Sequence, residues 1–149
     1  MYEQAKIQAY IDKYERQYLV KLLGVELFNE FVADLVAGVP QSAIYTKIYE
    51  PFEYDNVDCY IHISEGMIEM IKGFVYYQYL KDLTNTVAVS GNVRQAGENS
   101  ENVSTLNSMI YTRYNDSVRT FKAIQYYICD FNSDYLKYNG MSIGLAHWL

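Results

Sequence analysis

The sequence has little cysteine, little proline and a shortage of positive charge. Its two cysteines, Cys59 and Cys129, are far apart and do not form a Cys-x-x-Cys motif. The first residues, Met1 to Lys6, are too polar for a signal peptide, so we expect synthesis in a reducing, intracellular compartment. Lysine and arginine number 12 against 18 acidic residues, a net charge of −6, so no overall basic field is available to hold nucleic acid.

Signatures of metal and phosphate sites are also missing. His62 and His147 have no Glu-x-x-His or His-x-x-x-His partner. Gly91 and Gly97 are not part of a phosphate-binding loop, because no Gly-Lys-Ser/Thr follows them. We therefore expect no metal, no cofactor and no catalysis.

Two arrangements of side chains leave catalysis open as an alternative. Glu65 and Glu69 are one helical turn apart and form a candidate carboxylate pair, although the same spacing suits the solvated edge of a helix. Cys59 is a candidate nucleophile if His62 or another base turns toward it.

The chain is long enough for one domain and is rich in tyrosine. Half of its 149 residues are hydrophobic, which favours a folded core over disorder. Its 17 tyrosines supply large amphipathic contact area, which suits either a protein interface or a core with a wet rim.

The most apolar long stretch, residues 64–83, predicts a buried central helix with Ser64 as its N-cap. Charges at Glu69 and Lys72 argue against a membrane span, because each would cost about 3 kcal/mol at the bilayer centre. The apolar positions at helical spacing are Met67, Met70, Ile71, Phe74, Val75, Tyr77 and Leu80. The strip expected to meet water is Glu65, Glu69, Lys72 and Tyr76.

Further helices are predicted on both sides of the central one. The first covers residues 4–23 and ends at Gly24, and the second runs from Val25 to a stop at residues 38–40. A short third helix covers residues 41–49. A last long helix starts near Ser100, breaks at residues 132–134 and is the expected antiparallel partner of the central helix. The predicted fold class is all-α, a small bundle of about four main helices.

Three segments lack helical periodicity. Residues 52–63 predict an irregular or short-strand segment that leads into the central helix. Residues 84–100 predict either a β-hairpin that turns at residues 90–92 or a long loop. The tail, residues 135–149, contains glycines but is apolar, and we expect it to dock on its own domain or to insert into a neighbouring molecule.

Four blocks of the sequence resemble, in the same order, small head-to-tail connector proteins of tailed phages, as in crAss-like and related Bacteroidales phages. The resemblance covers roughly residues 10–130, which is most of the chain. The blocks are Tyr14–Phe28, Gly66–Leu80, Thr86–Ser100 and Arg113–Ile128.

The resemblance implies a structural virion protein, an adaptor that forms a homo-oligomeric, dodecameric ring beneath the portal protein. The ring would lie in the virion neck, between capsid and tail, after synthesis in the host cytoplasm. It would contact the next tail or neck protein and extend a channel through which DNA passes without specific binding. An acidic chain suits such a channel, because phosphate contacts come from lysine and arginine. Arg94 and Lys137 either touch DNA or an acidic partner, or are ordinary solvated charges.

Under this hypothesis residues 1–134 form the helical connector domain and residues 135–149 an interaction arm. A ring needs heterologous contacts between neighbours, to which mobile arms and aromatic faces are suited. The residues expected at a subunit or portal interface are Val87, Val89, Gly91, Val93, Arg94 and Glu98 in the loop, and Tyr135, Leu136, Tyr138, Met141, Ile143, Leu145, Trp148 and Leu149 in the tail.

The residues also allow a function of another class. The same helical faces suit a small soluble adaptor or regulator that binds one protein partner as a monomer or a dimer.

Overall fold

The computed structural model describes the backbone of residues 2–55, 60–89 and 96–144, and the side chains of residues 4–55, 60–83 and 109–144. Within these ranges the chain is predominantly helical. The helices are α1 (Tyr2–Leu23), α2 (Val25–Asp34), α3 (Ala43–Tyr49), α4 (Met67–Val89) and α5 (Ala96–Asp130), followed by a 3-10 turn at Asn132–Asp134.

Two antiparallel hairpins make the strict all-α prediction wrong. Strand β1 (Leu35–Val36) pairs with β2 (Val39–Pro40), and β3 (Phe52–Asp55) pairs with β4 (Ile61–Ser64). The second hairpin confirms the short-strand alternative for residues 52–63, of which residues 56–59 lie outside the described part of the chain.

The central helix α4 is confirmed and packs between α1 and α5. The Tyr18 ring of α1 stacks on the Phe74 ring with centroids 4.0 Å apart and planes 3° from parallel. On the side of α5, Gly73 approaches so closely that a Cβ there would overlap the Ser117 hydroxyl. The strip predicted to meet water, residues 65, 69, 72 and 76, is exposed.

The start of α4 differs from the prediction, because Ser64 is not its N-cap. Ser64 is the buried last residue of β4, and its hydroxyl accepts a hydrogen bond from the Gly66 N–H at 3.1 Å. Gly66, at φ +94°, then turns the chain into a helix that begins at Met67. Pairing of Ser64 with Phe52 in the hairpin removes it from the cap position.

Helix α2 ends at Asp34, several residues before the predicted stop at residues 38–40. The Asp34 carboxylate accepts hydrogen bonds from the N–H groups of Gln41 and Ser42, both at 2.8 Å, and from the Ser42 hydroxyl. These bonds draw the chain back on itself. Ala37 and Gly38, at φ 53° and 80°, make the two-residue turn between β1 and β2.

The predicted loop or hairpin over residues 84–100 is largely helix instead. Helix α4 continues to Val89 and α5 begins at Ala96, so the helices include residues 84–89 and 96–100. Extending two antiparallel partners satisfies more backbone groups than a long loop would. The proposed turn at residues 90–92 lies outside the described residues.

Candidate docking surfaces

An apolar groove of about 870 Å³ lies between α1, α2 and α4, and is called here the α1–α4 groove. Its lining includes buried side chains such as Leu19 of α1, Phe28 of α2 and Val75 of α4. At its edge Ile7 and Ile68 remain 42% and 50% exposed. A groove with so much uncovered apolar surface is typical of a protein docking site.

Basic side chains stand along the rim of this groove. Lys72 of α4 and Arg113 of α5 share Glu69, with nitrogen–oxygen distances of 3.2 and 3.9 Å. Arg16 of α1 lies over the Phe28 ring, 5.4 Å from its centroid. The side of the groove formed by α4 and α5 therefore carries two cations that share one carboxylate.

Two carboxylates, Asp12 and Glu15, line the groove on the side of α1. Partial burial of Glu15, reinforced by the charge of Asp12, raises the pKa of the Glu15 carboxyl. The raised pKa means that the charged carboxylate is less favourable in this groove than it is in water. Apolar cover over the groove would raise this pKa further.

Aromatic side chains hold the β3–β4 hairpin on α5. Tyr54 and His62 are paired across the hairpin. The His62 ring stacks on Tyr126 with centroids 4.4 Å apart, and the Tyr54 ring meets Tyr127 edge-on at 5.4 Å. The Tyr54 hydroxyl donates a hydrogen bond to Asp130 at 2.6 Å, which raises the pKa of Tyr54 to about 12. These contacts fix the orientation of the hairpin.

The opposite side of the hairpin, called here the outward hairpin face, consists of Glu53, Asp55, Ile61 and Ile63. The register pairs Glu53 with Ile63 and Asp55 with Ile61, so two carboxylates run beside two isoleucines. Ile61 and Ile63 are 67% and 57% exposed. Strand alternation explains the exposure of the two isoleucines. Successive side chains of a strand point to opposite sides, so the neighbours of a residue that faces α5 face solvent.

The groove and the outward hairpin face occupy different parts of the molecule. Gly73 of α4 packs beside Ser117, whereas His62 of β4 stacks further along α5, on Tyr126. The hairpin therefore lies beyond the N-terminal end of α4. The groove runs along α4 itself, from Met67 to Leu80.

The first residues of the tail pack into the domain. Tyr135 is 2% exposed, and its hydroxyl donates a hydrogen bond to the Ile44 carbonyl. Leu136 is 86% exposed. Lys137 forms an ion pair with Glu30 at 2.8 Å, which lowers the pKa of Glu30 and raises that of Lys137. Among the predicted interface residues, Tyr135 is thus part of this chain's own core.

The tail also caps the C-terminal end of α1. The last carbonyls of a helix have no partner within it and need donors from elsewhere. Here each of the carbonyls of residues 20–23 receives a hydrogen bond. The donors are Gly24 N–H to Val20, Met141 N–H to Lys21, Gln125 Nε2 to Leu22 and Asn139 N–H to Leu23.

The remaining tail residues are divided by where the described chain ends. Tyr138 and Ile143 are half-buried against the core, while Met141 keeps 60% of its surface exposed. Residues 135–144 thus follow the first predicted alternative, docking on their own domain. Leu145, Trp148 and Leu149 lie outside the described residues.

The predicted loop contacts are distributed over two helices and the gap between them. Val87 and Val89 lie at the C-terminal end of α4, and Glu98 lies at the N-terminal end of α5. Residues 91–94, including Arg94, are outside the described part of the chain.

The candidate catalytic groups are occupied otherwise or not described. Glu69 uses one oxygen for Lys72 and the other for Arg113, while Glu65 is exposed. Cys59 lies outside the described residues, and His62 is stacked on an aromatic ring. Within the described residues, no group of histidine, cysteine, aspartate and glutamate side chains could hold a metal.

The tail also contains the spacing Gly-x-Ser-x-Gly, at residues 140–144, which the sequence predictions above did not use. In hydrolases this spacing marks a serine on a sharp turn between a strand and a helix. Ser142 is exposed and follows a stretch, residues 138–141, without regular secondary structure. The match is one of spacing alone.

The groove and the outward hairpin face were both missed at the sequence level. The alternation of Ile61 and Ile63 with His62 and Ser64 signals a strand, but not which side of it faces α5. For the groove no local signal exists, because its walls come from α1, α2 and α4. In the described part of the chain, no helix has both the length and the apolarity needed to cross a membrane.

Comparisons with known proteins leave these surfaces as the basis for any functional argument. No family model, no curated protein and no solved structure matches this chain.

Proposed function

We propose that the protein is a structural head-to-tail connector of a tailed phage, without catalysis, whose copies assemble into a ring beneath the portal protein. The observation that carries the proposal is the pair of unlike apolar surfaces on one chain, the α1–α4 groove and the outward hairpin face. Contacts between two different patches are heterologous, and they generate a ring when the rotation closes. The four sequence blocks point to the same kind of assembly.

The distribution of charge supports the channel part of this proposal. A net charge of −6 disfavours binding to DNA phosphates. Lys137, one of the two cations considered for DNA contact, is paired with Glu30. On this proposal the ring lies in the virion neck, extends the DNA channel without gripping DNA, and contacts the portal and the next tail protein.

The test is sedimentation of the purified chain alone and mixed with the portal protein from the same genome, with negative-stain imaging of any fast species. We expect ring-shaped particles in the mixture, whether or not the chain forms them alone. The portal protein alone and the chain alone are the matched controls. A compact monomer that never co-sediments with the portal would contradict the proposal and favour the small adaptor that binds a single protein partner.

A further inference from the structure

The outward hairpin face is shorter than the α1–α4 groove and can lie within it. The groove follows α4 from Met67 to Leu80, which at 1.5 Å per residue corresponds to about 20 Å. Strand β4, from Ile61 to Ser64, corresponds to about 13 Å at 3.3 Å per residue. The hairpin is also narrow, since its two strands lie about 4.8 Å apart. A hairpin face of this size fits lengthwise along the groove.

Their charges are complementary as well. On the outward hairpin face the carboxylates of Glu53 and Asp55 belong to β3, and the isoleucines belong to β4. On the groove the cations Lys72 and Arg113, which share Glu69, stand on the side of α4 and α5, and the carboxylates Asp12 and Glu15 stand on the side of α1. An orientation with β4 over the groove and β3 along the α4 and α5 side would bring Glu53 and Asp55 toward Lys72 and Arg113, keep them away from Asp12 and Glu15, and cover both isoleucines.

We propose that the outward hairpin face of one copy docks into the α1–α4 groove of the next copy, and that this contact propagates the ring. The inference rests on the proposed connector function and names the two surfaces that join its subunits. Ile61 and Ile63 are the apolar anchors. Glu53 and Asp55 fix the register against Lys72 and Arg113.

The geometry of a single chain favours a neighbouring copy over self-docking. The hairpin is held on α5 by stacked rings, among them His62 on Tyr126, and its outward face points away from these contacts. Folding this face into the groove of the same chain would require the loss of that aromatic packing. Docking onto a second copy preserves it.

Disulfide trapping between two differently labelled copies tests the contact directly. In a background with Cys59→Ser and Cys129→Ser, one copy carries Ile63→Cys and the other Tyr76→Cys. Both positions are exposed, at 57% and 38%, so we expect both variants to fold. Mild oxidation of the mixture is expected to yield a mixed dimer at least about tenfold faster than a control pair does, because docking raises the local thiol concentration.

The control pair combines Ile63→Cys with Leu136→Cys, whose site is 86% exposed on the tail. Equal rates for the two pairs would overturn the inference. The inference would also be overturned if two Ile63→Cys copies formed a disulfide with each other faster than either mixed pair does. The interface would then be symmetric. Faster trapping of Trp148→Cys than of Ile63→Cys on Tyr76→Cys would assign the groove to the C-terminal residues instead.

Charge reversal provides a second, independent measurement. Glu53→Lys with Asp55→Lys on the Ile63→Cys copy is expected to slow trapping. Lys72→Glu with Arg113→Glu on the Tyr76→Cys copy is expected to restore it. Equal rates in all four combinations would overturn the proposed register.

The outcomes also separate this inference from the connector function. Rings on the portal without preferential trapping of Ile63→Cys on Tyr76→Cys would overturn the hairpin contact alone. Preferential trapping without any ring on the portal would support the contact and contradict the connector function.

Discussion

The backbone of Asn139 lies where a side chain on Gly24 would have to be. A Cβ on Gly24 would be 2.7 Å from the Asn139 carbonyl oxygen, and Gly24 has a φ of +84°. The joint between α1 and α2 therefore requires glycine for two separate reasons. One is the left-handed backbone, and the other is the tail packed against it.

We predict that Gly24→Ala destabilises the protein more than Gly38→Ala does. Gly38 has a similar φ of +80°, but a Cβ there would meet nothing within 4 Å. Backbone strain alone should cost about 1 kcal/mol at Gly38, and strain with displacement of the tail about 3 kcal/mol at Gly24. Urea unfolding followed by circular dichroism measures the free energy of unfolding of each variant. Equal losses would mean that the tail contributes nothing at this joint.

The second prediction concerns Tyr135 and its hydrogen bond to the Ile44 carbonyl. Tyr135→Phe should lower the free energy of unfolding by about 1 kcal/mol, the usual value for one hydrogen bond. Tyr135→Ala should lower it by about 3–5 kcal/mol, because a large buried ring is lost. The control is the neighbouring exposed residue Leu136. Leu136→Ala should change the free energy of unfolding by less than about 0.5 kcal/mol. If Tyr135→Ala leaves the free energy of unfolding unchanged, the tail is not docked on the domain in solution.

The third prediction is a pH dependence that arises at Asp34. Hydrogen bonds from Ser42 and Gln41 lower the pKa of the Asp34 carboxyl in the folded protein. The associated stability is therefore present above the unfolded pKa of about 3.9 and is lost as the pH falls through the lowered folded value. Asp34→Asn should be less stable than the wild type near neutral pH, and the difference should shrink on acidification.

Thermal unfolding of both proteins between about pH 7 and pH 2 measures this difference. Asp134→Asn, at an exposed carboxylate, is the control and should track the wild type. A difference between Asp34→Asn and wild type that stays constant down to the lowest pH would rule out the proposed linkage.

The fourth prediction compares two truncations of the tail. Removal of residues 135–149 deletes the buried Tyr135 ring and the two tail donors to the end of α1, so we expect a strong loss of stability. Removal of residues 145–149 spares these contacts, and we expect the melting temperature to be nearly unchanged. Calorimetry of both truncated chains checks this. Similar melting of the two would show that residues 135–144 contribute little.

The helices could be predicted because their signals are local. The apolar spacing of the central stretch predicted the buried side of α4. Gly24 predicted the end of α1, and in the structure it follows the last residue of α1 with a positive φ. The strand character of residues 52–63 was visible as a loose alternation. The N-cap assignment at Ser64 failed because pairing with Phe52 took that residue into β4.

The sequence by itself determined the existence and order of the main helices, the division of α4 into a buried and a wet side, and the acidic balance. Only the tertiary structure decided which surfaces remained uncovered. The outward hairpin face is exposed because the rings of Tyr54 and His62, on the other side of the hairpin, pack against α5. The groove exists because α1, α2 and α4 meet without filling the space between them. The groove and the outward hairpin face both depend on contacts between residues that are distant in sequence. Local periodicity contains no information about such contacts.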